Sequence, residues 1–168
     1  MIKYFLDAPA LPSIDLRFER KTDGASGYDL MANIGVERII APGARWVCHT
    51  GLYLEMPIGI EGQVRTRSGL SRDHGIVVIN APGTIDSDYR GEITVTLLNT
   101  DRHSDHTILP GDRIAQIVFC PVLPEFCDLL YTHRSRPDEK WLTLSQISNR
   151  DQLVFSTRGT SGHGSTGR

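Results

Sequence analysis

Apolar side chains in this sequence fall mostly at alternate positions or in short unbroken runs, the pattern of strands with one or both faces buried. Ile93, Val95 and Leu97 alternate with Thr94, Thr96 and Leu98, and upstream the run Ile76 to Ile79 closes on Asn80. Together they predict two strands joined by a hairpin. Trp46, Cys48, Leu52, Leu54 and Met56 keep even spacing over a longer strand that is interrupted at Gly51 and ended by Pro57. Ile34 to Ile40 predicts a further strand, Pro42-Gly43 a turn, and residues 1 to 20 an edge strand leading to a charged segment in which Pro9 and Pro12 break any helix. Gln63 to Arg72 reads as a strand running into a turn. Arg113 to Phe119 is an apolar run broken by Gln116, an amide that burial obliges to hydrogen-bond. Residues 132 to 151 differ: Trp141, Leu144 and Ile147 have helical spacing, and Thr143 with Gln146 resembles a capping box. The expectation is an all-β domain with one short amphipathic helix in an insertion.

The connection inside the predicted hairpin carries an unusual density of chemistry. Gly83-Thr84-Ile85-Asp86-Ser87-Asp88-Tyr89-Arg90-Gly91 places two carboxylates, a phenol ring and a guanidinium within five positions, between glycines that permit tight turning. In extended backbone Asp86 and Asp88 would share a face, so the local turn must aim them. Arg67-Ser68-Gly69 offers a planar fork, a hydroxyl and accessible amides, groups suited to phosphate oxygens, although Arg and Ser in a turn are as often a solvated face. Asp23 to Leu30 is a glycine-rich turn in which Asp29 stands between Tyr28 and Leu30. Arg158 to Arg168 is a tail of glycines and hydroxyls. It imitates a dinucleotide fingerprint and a P-loop and completes neither, because no helix follows and Ser165 stands where a P-loop has lysine.

Composition narrows the function classes. At 168 residues the chain predicts one domain with a core that needs no staples. Net charge is −2 with both signs interspersed, unlike a nucleic-acid-binding surface. No run approaches the ~18 apolar residues of a membrane span, and Met1 to Leu11 has no secretory pattern. Cys48, Cys120 and Cys127 are odd in number and unrelated in spacing, which predicts reduced thiols in a cytoplasmic protein. His103 and His106, without further ligands nearby in sequence, do not make a zinc site.

Taken in order, Ala25-Ser26-Gly27-Tyr28-Asp29-Leu30, Arg67-Ser68-Gly69-Leu70, Asn80 to Gly91, Gly111-Asp112-Arg113-Ile114-Ala115-Gln116 and Arg158 to Gly167 resemble the five motifs of the trimeric dUTP pyrophosphatases (dUTPases). Each is weak alone; five in order over nearly the whole chain is specific. The resemblance implies a distorted jelly-roll or β-clip fold over residues 1 to 157. It also implies a homotrimer with shared active sites, each closed by the 158 to 168 tail of a neighbouring subunit. The implied activity is hydrolysis of dUTP to dUMP and pyrophosphate, which removes dUTP from the nucleotide pool and supplies dUMP for dTMP synthesis. By resemblance Asp86 is the general base that activates water, with Gln116 near the triphosphate or the water. Tyr89 lies against the deoxyribose, and Asn80 with the hairpin backbone at Thr84 and Ile85 pairs with uracil. Arg67, Ser68 and Gly69 hold phosphates; Arg158, Gly164, Ser165 and Thr166 close over the γ-phosphate; His163 covers the base where the family more often has Phe. Asp29 acts indirectly, through waters around a magnesium ion held mainly by the triphosphate. Two alternatives compete: a dCTP deaminase of the same fold, disfavoured by Thr96 where its glutamate belongs, and a regulatory protein that binds a partner through the 132 to 151 insertion.

Overall fold

The computed structural model describes residues 1–122 and 144–153. Its strands are β1 (Ile2–Leu6), β2 (Tyr28–Met31), β3 (Arg38–Ile40), β4 (Arg45–Glu55), β5 (Ile60–Arg65), β6 (Ile76–Val78), β7 (Gly83–Ile85), β8 (Glu92–Asn99), β9 (His106–Ile108), β10 (Arg113–Pro121) and β11 (Leu144–Gln146). One helix, α1 (Ser68–His74), lies between β5 and β6, and a 3-10 turn spans Arg150–Gln152. The strands form a five-stranded sheet in the order β11-β1-β4-β8-β6, a four-stranded sheet in the order β2-β10-β5-β7, and the pair β3-β9.

The alternation read from the sequence is the inward face of these sheets. In β8 Ile93, Val95 and Leu97 are buried while Thr94 and Thr96 are not, and β5 buries Ile60 and Val64. Both sheets feed one core, with Leu52, Leu54 and Leu97 on one side and Leu30, Ile114 and Ile117 on the other. Burying side chains of this size stabilises by about 1.5–3 kcal/mol each. Among the described residues no helix is long and apolar enough to cross a membrane. Cys48 is fully buried, and burial with the charges of Glu92 and Asp112 pushes its thiol up to about 12, so it is an inert packing group.

The structure corrects four local expectations. Within Ile34 to Ile40 only Arg38–Ile40 is strand, paired with β9. β1 is not an edge, because β11 pairs with it in parallel, Ile2 opposite Leu144 and Tyr4 opposite Gln146. That pairing also overturns the helix expected around Leu144 and Ile147: the open side of β1 offers main-chain partners, and long-range pairing overrides the local spacing. The remainder of the proposed insertion, residues 132 to 143, lies outside the described residues. The turn expected after Arg67 is instead α1, which ends where Gly75 takes φ of 65° and donates its N–H to Ser71. Arg72 and His74 in the last turn and Gly75 beyond it were legible stop signals.

Candidate active site

β6 and β8 pair as predicted, Ile76 opposite Asn99 and Val78 opposite Leu97. The connection between them, however, is not a free hairpin loop. Its first part, β7, crosses to the other sheet and pairs with β5, Gly62 opposite Ile85 and Val64 opposite Gly83. The segment is thereby anchored in both sheets, and a cavity of about 150 Å³ opens beneath it. Asn80, Gly83, Thr84, Ile85, Asp86 and Tyr89 line the rim and walls, with Val64 and Val78 supplying apolar surface and Glu92 and Thr94 reaching in from β8.

The tip of the segment closes on itself. Tyr89 N–H donates to the Asp86 carbonyl at 3.1 Å, and the Arg90 guanidinium donates to the carbonyls of Ser87 at 2.7 Å and Tyr89 at 3.0 Å. This turn separates the two carboxylates that an extended chain would pair: Asp86 lines the cavity and Asp88 does not. The Tyr89 ring folds back over Gly91, where any Cβ would collide with the phenol, and its hydroxyl donates to the Glu92 carbonyl at 3.0 Å. Burial, reinforced by the Glu92 charge, raises the phenol above its ordinary range, which keeps it a neutral donor.

A second group assembles where β2, β10 and the start of α1 meet. Arg67 Nε donates to Asp29 Oδ1 at 3.0 Å, Arg67 Nη1 donates to the Arg113 carbonyl at 2.8 Å, and Arg113 Nη1 donates to Asp29 Oδ2 at 3.3 Å. Asp29 therefore holds two guanidinium groups, one on each oxygen. Ser68 and Gly69 open α1 directly after Arg67. Gln116 lies opposite Asp29 in β2 and opposite Arg65 in β5, and its amide donates to the Thr66 carbonyl at 3.3 Å, the partner its place in an apolar run required.

Of the residues singled out from the sequence, the structure brings Asn80, Thr84, Ile85, Asp86 and Tyr89 into one cavity. Arg67 and Asp29 border other concavities, each shared with Arg113. Arg158, His163, Gly164, Ser165 and Thr166 lie outside the described residues. Three contributors escaped the sequence reading. Arg113 could have been suspected as a charge at the mouth of an apolar run, Glu92 as a charge opening an alternating strand, and Thr94 had no distinguishing signal. Among the described residues no cluster of three or more His, Cys, Asp or Glu is arranged to hold a metal ion. The His74 and His106 rings meet at 4.8 Å between centroids.

Comparison with known proteins agrees with this geometry. The dUTPase family model matches residues 17–139. The deoxyuridine 5'-triphosphate nucleotidohydrolase of Anaeromyxobacter sp. (strain Fw109-5) is 45% identical over 158 residues, covering 94% of this chain and 90% of that protein. Its counterpart in Mesorhizobium japonicum is 42% identical over 149 residues, covering 88% and 80%. Among solved structures, dUTPase from Streptococcus mutans superposes with a TM-score of 0.61 at 29% identity, covering 72% of this chain and 96% of that one. The dUTPase of phage phi11 of S. aureus, described with a structural Mg(II) ion, shares the fold with a TM-score of 0.61 at 20% identity over 73% and 91%. The motif order, the two-sheet fold and these likenesses converge on one conclusion: the chain belongs to the dUTPase family.

Proposed function

We propose that this chain hydrolyses dUTP to dUMP and pyrophosphate, acting as a homotrimer in the cytoplasm. The observation that carries the reading is the gathering of Asn80, Thr84, Ile85, Asp86 and Tyr89 around one cavity with apolar surface from Val64 and Val78. A flat base fits such a floor. β7 ends its sheet among the described residues, so alternate main-chain groups of Gly83–Ile85 point away from β5 and are placed to pair with the uracil edge. The Asn80 amide adds a donor and an acceptor. The Tyr89 ring, held by its hydroxyl on Glu92, forms the wall that an extra 2'-hydroxyl would strike.

In this reading Asp86 accepts a proton from the water that attacks the α-phosphorus, and the bond from that phosphorus to the bridging oxygen breaks to release pyrophosphate. Arg67, with Ser68, Gly69 and Gln116, meets the phosphate oxygens and takes up charge as it develops. Arg158, His163, Gly164, Ser165 and Thr166 close the site from a neighbouring subunit. Both Asp29 oxygens are engaged by arginines, an arrangement that fits Asp29 meeting the waters of a magnesium ion carried on the triphosphate rather than binding that ion directly. When bound, that ion neutralises phosphate charge. The regulatory and deaminase alternatives are not favoured, since the relatives are named for dUTP hydrolysis.

Two measurements test the proposal. Purified protein should release pyrophosphate from dUTP and no ammonia from dCTP; ammonia from dCTP without pyrophosphate from dUTP would overturn it. Asp86→Asn and a chain ending at Thr157, each nearly inactive, should regain turnover when unfolded and refolded as a mixture. Mixed trimers without activity would refute the shared site.

A further inference from the structure

Glu92 belongs to no motif, yet it both lines the cavity and holds the strand behind it. Its carboxylate side chain is 20% exposed. Oε1 accepts from the Thr50 N–H at 3.0 Å and from the Gly51 N–H at 2.8 Å, and Oε2 lies 2.8 Å from His49 Nδ1. These partners form the irregular step in β4, where the register against β8 shifts between His49 and Leu52 and Gly51 takes φ of 67°. A bulge takes amides out of the ladder and leaves them needing acceptors. Here one carboxylate oxygen supplies the acceptor for two of them. The rest of the step is tied outward, Asp7 N–H to the Gly51 carbonyl at 2.8 Å and Asn33 N–H to the His49 carbonyl at 2.9 Å.

The same residue holds the cavity wall. The main-chain oxygen of Glu92 accepts the Tyr89 hydroxyl, and Glu92 itself lines the cavity beside Asp86 and Tyr89. We infer that Glu92 is a positioning residue for sugar selection: its side chain pins the β4 bulge, which fixes the first carbonyl of β8, which in turn fixes the Tyr89 ring. The inference rests on the hydrolytic reading above. Without the carboxylate, two amides lose their acceptor and the bulge relaxes to find others. The carbonyl at the start of β8 then moves, and the ring that excludes a 2'-hydroxyl moves with it. Glutamine keeps one side-chain oxygen to accept from the Thr50 and Gly51 amides, and replaces the charged oxygen facing His49 with an NH2 that donates to Nδ1 of the Nε2–H tautomer.

The experiment compares parent, Glu92→Ala, Glu92→Gln and Tyr89→Phe by kcat/KM for dUTP and for UTP, at a temperature where circular dichroism shows each folded. Glu92→Ala should narrow the dUTP to UTP ratio roughly tenfold, a usual scale for one altered contact in a pocket. Glu92→Gln should stay within about threefold of the parent, because the acceptor rather than the charge is needed. Tyr89→Phe, which removes the donor, should narrow the ratio in the same direction. A less stable Glu92→Ala with the parent ratio would make Glu92 merely structural and overturn the inference, as would a glutamine variant as unselective as alanine. Should the alanine variant fail to fold, Tyr89→Phe decides: an unchanged ratio refutes the chain of contacts. Parent turnover in the same assay separates the two levels. Its absence overturns the hydrolytic reading and this inference together, whereas turnover with unmoved ratios removes only the role of Glu92.

Discussion

The cavity under residues 80 to 94 and the arginine cluster at the start of α1 are held by different forces. The cavity takes its shape from main-chain pairing: β6 and β8 on one sheet, β5 and β7 on the other, with Val64 and Val78 buried to 3% and 4% exposure. The cluster takes its shape from charge, with the Arg67, Asp29 and Arg113 side chains 26%, 23% and 45% exposed and joined by hydrogen bonds of 3.0 and 3.3 Å. A shape built on strands is insensitive to ionic strength, whereas one built on partly exposed ions is screened. The division matches the substrate proposed for the site. A flat base and sugar need a rigid wall; a flexible polyanion needs cations that are held in place but not buried.

Removing the charge of Asp86 while keeping its shape should have the largest effect. Asp86→Asn is expected to lower kcat by about 10²- to 10⁴-fold with KM and melting temperature near those of the parent, the scale of a lost general base. A normal kcat would take the chemistry out of the cavity. The cluster should respond in the other kinetic constant. Asp29→Ala removes the side-chain acceptor of both guanidinium groups, and loss of charge-assisted hydrogen bonds of about 1.5–3 kcal/mol should raise KM for dUTP roughly tenfold or more, with a smaller change in kcat. An unchanged KM would mean that the arginines need no carboxylate to place them.

A third substitution, at the margin of the five-stranded sheet, serves as the reference for both regions. Ile147 N–H donates to the Tyr4 carbonyl at 3.0 Å, so Ile147→Pro should lower unfolding free energy by about 1–3 kcal/mol in urea titration while kcat and KM stay put. A loss below a few tenths of a kcal/mol would restore the view of this segment as removable insertion. The smallest effect is expected beside the cluster, at His106. Burial, followed by the nearby His74 ring, lowers its pKa below the ordinary 6.5. The unfolded chain therefore binds the proton more readily than the folded one, so stability is fully present above pH 6.5 and falls as pH drops toward the folded value. His106→Phe should flatten that decline in melting temperature between pH 7 and 5; an unaltered decline would assign it to other groups.

Much of this was legible because it is local. Strand alternation marks an inward face whichever partner covers it, and Ile93, Val95 and Leu97 are inward as read. The concentration of Asp86, Tyr89 and Asn80 around one site was legible too, because a short connection between two paired strands cannot scatter its residues. Helix at 144 to 147 was misread for the converse reason: three residues carry too little local preference to resist an open strand edge.

The sequence alone determined the all-β class, the inward faces, the five-motif order and the density of chemistry between Gly83 and Gly91. Tertiary structure decided which partners those groups received. Asp29 meets Arg67 across 38 positions and Arg113 across 84, and Glu92 meets Thr50 across 42. β7 leaves its own hairpin for β5, a choice that turns a loop into the roof of a cavity. The physical reason is register. Periodicity says which face a side chain takes, but the residue it faces is set by how distant strands align, and that alignment is a property of the whole core rather than of any stretch within it.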